Sequence, residues 1–161
     1  MKPKRFAGLR ADIQLELSNL ERLIEETKAL PTDTPENILI VRGAASILHD
    51  FYSSIEKIFE RITLNLDGDL PRGEDWHVQL LHRMSTSVPD VRPPVITPDL
   101  ESNLSEYLRF RHVFRNVYGF ELKWNRLREL VDDMPGVYYE LRSQIDVFLS
   151  FLVDLDQAIS D

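Results

Sequence analysis

Cysteine is absent from the 161 residues, which excludes a disulfide framework, a thiolate metal site and a Cys nucleophile. Glycine is scarce: six residues scattered at turns, with no Gly-rich loop to cradle a phosphate. Basic residues are outnumbered, 19 Lys and Arg against 27 Asp and Glu, for a net charge of −8. That balance argues against a general nucleic-acid coat, because phosphate binding needs a positive field, but it leaves room for a small basic pocket. Long uncharged apolar runs are missing, so no bilayer span is expected. The basic start, Met1-Lys2-Pro3-Lys4-Arg5-Phe6, is not followed by the apolar core of a signal peptide, and a cytoplasmic protein is expected. The four histidines supply no HExxH, and His77 and His82 stand five apart rather than four. Neither a metal nor a cofactor is therefore expected.

No stretch alternates with period two long enough for a strand. The apolar positions keep helical time instead. Phe6, Leu9, Ile13, Leu17, Leu20 and Ile24 make one stripe, stopped by Pro31-Thr32-Asp33-Thr34-Pro35. Thr34 is the expected cap of a second helix, with Pro35 in its first position and Asn37 in its third. There Ile38, Val41, Ala45, Leu48, Tyr52, Ile55, Phe59 and Ile62 alternate steps of three and four, which predicts lengthwise packing on a neighbour. A shorter helix is expected from about Asp75 to Met84, then an irregular stretch from Ser85 to Pro98 with four prolines. Leu100, Leu104, Tyr107, Arg111, Phe114 and Tyr118 share the next helical face, which Gly119 should end. A short helix around Lys123 to Val131 should precede Pro135-Gly136. The last helix carries Leu141, Ile145, Phe148, Leu152, Leu155 and Ile159. The fold predicted is all-α, one domain over residues 1–161: an up-and-down bundle of about four long helices plus short ones.

One segment breaks the acidic character. Between Arg109 and Arg128 lie six basic side chains (Arg109, Arg111, Arg115, Lys123, Arg126, Arg128) and one acidic (Glu121), a local net of +5. Helical spacing puts Arg111, Arg115 and Tyr118 on one face, with His112 and Asn116 along its edge. Two readings compete. The plainer is a charged helix face paired with acidic neighbours. The other is a pocket in which guanidinium forks hold phosphate and an imidazole shuttles protons.

The run Arg111-His112-Val113-Phe114-Arg115-Asn116-Val117-Tyr118 resembles the signature of the HEPN superfamily, specifically the HepT-like ribonuclease toxins: Arg, a polar residue, three arbitrary residues, His, one residue, Tyr. The stretches around His49-Asp50-Phe51-Tyr52, Gly73 to His77, Arg92 to Ile96 and Phe110 to Leu122 are similar to that family as well. The resemblance implies a HEPN-like bundle and a metal-independent endoribonuclease whose RNA substrate lies in a cleft between two protomers of a homodimer. It also implies a cognate minimal nucleotidyltransferase antitoxin that adds nucleoside monophosphate to the motif tyrosine. Carried over, Arg111 clamps the scissile phosphate, His112 orients Arg111 or the RNA, and Tyr118 is the modified residue. Arg115 and Arg109 are candidates for RNA backbone contact, or for pairing with Glu121 and Glu106.

Position 116 departs from the pattern. Where the family has histidine this chain has Asn116, and an amide moves no proton at neutral pH. Three readings remain open: His112 takes over proton transfer; the chain is a silent member that binds a nucleotidyltransferase without cutting; or the histidine was replaced to tame a toxic activity. A plain helical scaffold is the further alternative. Tyr52 and Tyr107 lie on apolar stripes and are expected in the core, as is His49, with Trp76 as a hydrophobic anchor.

Overall fold

A computed structural model describes residues 4–161. The first three residues of the basic start, Met1-Lys2-Pro3, lie outside them. Among the described residues the fold is all-α, with four long helices and one short one. They are α1 (Ala7–Thr27), α2 (Ile38–Ile62), α3 (Trp76–Met84), α4 (Pro98–Asn116) and α5 (Trp124–Ser160). None is long and apolar enough to cross a membrane.

Helix α1 buries the predicted stripe at Leu9, Ile13, Leu17 and Leu20. Its first backbone groups have no local side-chain cap. The buried Asp156 near the end of α5 serves instead, its carboxylate oxygens accepting from the Phe6 N–H at 3.1 and 3.2 Å. A negative charge at a helix N-terminus is favourable, so this contact ties the start of α1 to the end of α5. Helix α2 lies at the centre and packs on all four others. Asn37, not Thr34, caps it, its side-chain oxygen accepting from Leu39 N at 2.9 Å. Asn caps as well as Thr and stands directly before the apolar stripe, so Pro35 stays outside the helix. A π-helical turn, Thr63–Asp67, extends α2 and closes at Gly68, whose φ of 112° suits glycine.

The proline-rich connection between α3 and α4 is held from within. Arg92, almost fully buried, sets Nε and Nη2 on the two Asp67 oxygens at 2.7 and 2.8 Å and donates from Nη1 to Thr86 O at 3.0 Å. Val95 N and Ile96 N both donate to Met84 O. These bonds fix the start of α4, which Thr97 caps with Pro98 in its first turn.

The expected break at Pro135-Gly136 does not occur. Residues from Trp124 to Ser160 form one helix with Pro135 inside it. Proline removes one helical N–H and crowds the preceding turn. Yet Leu127, Leu130, Met134, Val137, Leu141, Ile145, Phe148 and Leu152 stay in phase through it, all buried. Continuous core packing outweighs the local defect. The buried side chains of all five helices join in one cluster that includes Phe6, Phe51, Tyr107 and Leu152.

Candidate functional site

The C-terminal half of α4 runs antiparallel along α2. Tyr107 packs on Phe51, Arg111 meets Glu56, Phe114 packs on His49 and Gly119 lies on Arg42. Facing it, α2 presents His49, Tyr52, Glu56 and Glu60, spaced by three, four and four residues and hence on one face. Polar groups so enclosed cost free energy unless they find partners.

Glu56 is the hub. It is buried, and its two oxygens hold different partners: Oε1 accepts from Arg111 Nη1 at 2.8 Å, while Oε2 lies 2.8 Å from His77 Nδ1. Arg111 itself is 9 % exposed, and its Nε is enclosed without a partner. The pairing expected in the plainer reading thus exists, but inside the protein. One turn before Glu56, the Tyr52 hydroxyl is enclosed and unpartnered. Burial, then the Glu56 charge, pushes its pKa upward. One turn after, burial and repulsion from Glu56 raise the Glu60 carboxyl above its ordinary range. His49 is half-buried at the margin rather than in the core, and its Nδ1 has no partner. Desolvation lowers its pKa, with the Arg111 charge acting in the same direction.

The motif residues separate in space. His112 is exposed, and Asn116, also exposed, donates its amide to His112 O at 2.7 Å. This side-chain bond to the last turn accompanies the end of α4 at Asn116, three residues before the expected Gly119. Val117 is extended, so Tyr118 leaves the face shared by Arg111 and Arg115. It stands on a turn closed by Tyr118 N–H to Glu121 Oε2 at 3.2 Å and Glu121 N–H to Tyr118 O at 2.9 Å. Its ring, 69 % exposed, stacks on Phe120 with centroids 5.2 Å apart. Gly119 is not the helix stop: a Cβ there would stand 2.6 Å from Arg42 Cζ and Nε, so the exposed Arg42 side chain would have to swing aside.

The basic run is likewise divided. Arg109 and Arg126 share Glu106, whose pKa is lowered first by the Arg126 hydrogen bond and then by Arg109. Arg128 pairs with Asp132 at 3.0 Å. Arg115, Lys123 and Arg42 have no carboxylate partner among the described residues, and the first two flank Tyr118 in sequence. No group of three or more His, Asp or Glu side chains placed to hold a metal occurs among the described residues.

Between α3 and α4 runs a groove of about 870 Å3. Val78, Leu81, Leu108 and Val113 make it largely apolar, and His77 and His112 both line it. Neither Asn116 nor Tyr118 reaches it. Tyr52 and Tyr107 are fully buried, as expected, the Tyr107 hydroxyl donating to Leu130 O at 2.7 Å; Trp76 packs half-buried against His77.

Glu56 and His77 escaped the sequence reading. A signal for Glu56 existed: it lies four residues after Tyr52 and three before Phe59, on the buried side of the most regular stripe. His77 carried none, because it meets Glu56 only through the packing of α3 on α2. No curated protein and no solved structure matches the chain. The family described as HepT-like protein matches residues 43–152, a segment holding Glu56, His77, Arg111 and Tyr118 and well over half of the chain. The protein belongs to the HepT-like family.

Proposed function

We propose that the protein is the toxin of a toxin–antitoxin pair, an endoribonuclease that works in the cytoplasm as a homodimer without a metal. A partner nucleotidyltransferase neutralises it by transferring nucleoside monophosphate to Tyr118. In that step the Tyr118 hydroxyl oxygen attacks the α-phosphorus of a nucleoside triphosphate, pyrophosphate leaves, and the phenolic proton passes to solvent. One observation carries this reading: Tyr118 projects from a hydrogen-bonded turn, 69 % exposed, directly after the helix that bears Arg111 and Asn116. An adduct there adds bulk and negative charge close in sequence to Arg115 and Lys123, which have no carboxylate partner among the described residues. Arg111, held through Nη1 by Glu56 Oε1, is the motif cation this reading assigns to the phosphate. Arg109 contributes less, being engaged with Glu106.

Incubation with ATP and the cognate nucleotidyltransferase is expected to add one nucleotide mass to the protein and none to Tyr118→Phe. An adduct that survives this substitution would place the modification elsewhere. For the nuclease, total RNA is expected to be cut by the protein and spared by Arg111→Ala.

A second reading, a silent binding partner of the nucleotidyltransferase, draws on the Asn116 amide, which is engaged by its own helix at His112 O. It predicts intact RNA with the protein as it stands and cleavage by Asn116→His.

A further inference from the structure

We propose that His77 is the proton-transfer residue of the ribonuclease, oriented by Glu56, and that it performs the task Asn116 cannot. This assignment rests on the ribonuclease reading above. His77 Nδ1 lies 2.8 Å from Glu56 Oε2, and a carboxylate can only accept, so the neutral ring carries its proton on Nδ1. Nε2 then presents a lone pair, with no partner among the described residues, on a ring that lines the groove between α3 and α4. A buried carboxylate that holds an imidazole in one tautomer, with the other ring nitrogen turned to the substrate, is an arrangement general bases use. The same carboxylate holds Arg111 at 2.8 Å, which brings a proton acceptor and a phosphate-binding cation to one anchor.

His112 is less suited to the role. It lines the same groove but is exposed, and no side chain fixes its ring among the described residues. His82, a third imidazole on the groove, points its Nδ1 to the surface carboxylate of Glu101. Trp76 packs against His77, its ring centroid 3.7 Å away, and restricts rotation of the imidazole. The charged and titratable groups around His77 are Glu56 and Glu60 on α2, Arg111 and His112 on α4, and Glu74 and Asp75 before α3.

In the step proposed, His77 Nε2 takes the proton of the ribose 2′-hydroxyl. The 2′-oxygen forms a bond to phosphorus, and the bond from phosphorus to the 5′-oxygen breaks. That oxygen takes a proton from water, and the products are a 2′,3′-cyclic phosphate and a 5′-hydroxyl. His77 later returns its proton to solvent. Glu56 is a positioning residue, since it touches the imidazole and the guanidinium rather than the RNA.

The test is single-turnover cleavage of a labelled oligoribonucleotide by the full chain. We expect cleavage to a cyclic phosphate, reduced about 100-fold or more in His77→Gln and unchanged in Glu25→Gln on the exposed face of α1. Glu56→Leu, which removes the acceptor, should lower the rate and release the His77 ring to populate the tautomer protonated on Nε2, read by nitrogen NMR. A purely structural Glu56 would lower the rate and leave the tautomer in place, which would overturn the positioning role. Full activity in His77→Gln, or loss on His112→Ala alone, overturns the assignment of the base. Inactivity of the unaltered chain with activity in Asn116→His overturns it too, and leaves the ribonuclease reading standing. Inactivity of every protein, Asn116→His included, overturns both. Should His77→Gln not fold, nitrogen NMR of the unaltered protein decides the tautomer: a neutral ring protonated on Nδ1 is expected, and one protonated on Nε2 instead overturns the proposal.

Discussion

At Asp67 and Arg92, two charges lie almost fully inside the protein and satisfy each other through two parallel hydrogen bonds. Removing one member leaves the other buried and unpaired, which typically costs about 3–5 kcal/mol. Asp67→Ala is therefore expected to lower the unfolding free energy by that amount, read as a lower urea midpoint, and to loosen the connection that sets the start of α4. Hydrogen exchange at Val95 and Ile96, whose amides bond Met84 O, should accelerate in the same variant. His49 calls for a different test. Its pKa is lowered from the ordinary value near 6.5, chiefly by desolvation and then by Arg111. As pH falls through about 6.5 the unfolded chain takes up this proton first, so stability is lost between that value and the lowered folded one. Stability measured from pH 7.5 to 5 should fall less steeply in His49→Gln than in the unaltered protein.

Among the elements, α5 poses the sharpest question, since a 37-residue helix passes through Pro135 and Gly136. Gly136 is exposed, and a Cβ there would meet nothing within 4 Å. Gly136→Ala is expected to stabilise the protein by about 0.5–1 kcal/mol, read as a higher midpoint in urea with unchanged slope. An unchanged or lower midpoint would show that the chain bends there in solution. Helix α4 illustrates the opposite case. It stops where the Asn116 side chain bonds its own last turn, and that early stop exposes Tyr118.

For the whole molecule, an acidic body carries a few unpaired cations at the end of the bundle where Tyr118 stands. If Arg42, Arg115 and Lys123 provide the phosphate contacts, each releases about 0.7 of a counterion from single-stranded RNA. Binding of a short oligoribonucleotide should then weaken with salt at a log–log slope of about −2 per protomer, and Arg115→Gln should reduce it by about 0.7. A slope near zero would exclude this face as the RNA contact. Helical periodicity made α1, α2 and α4 legible, and α5 in two pieces, because burying one face of a helix requires apolar residues every three or four positions. The same logic revealed that Tyr52 and Tyr107 are buried. It also holds the sign that α5 is continuous, in a stripe that stays in phase across Pro135.

The amino-acid sequence by itself determined the helical class, the positions of α1, α2 and α4 and the motif from Arg111 to Tyr118. Each follows from local spacing, which a linear chain carries in full. Only the tertiary structure decided that Arg111 turns inward to Glu56, that His77 shares the same carboxylate, and that Tyr118 leaves the helix face. Glu56 lies 21 residues from His77 and 55 from Arg111. Contacts across such separations arise from how helices pack, and no periodicity within one helix encodes them.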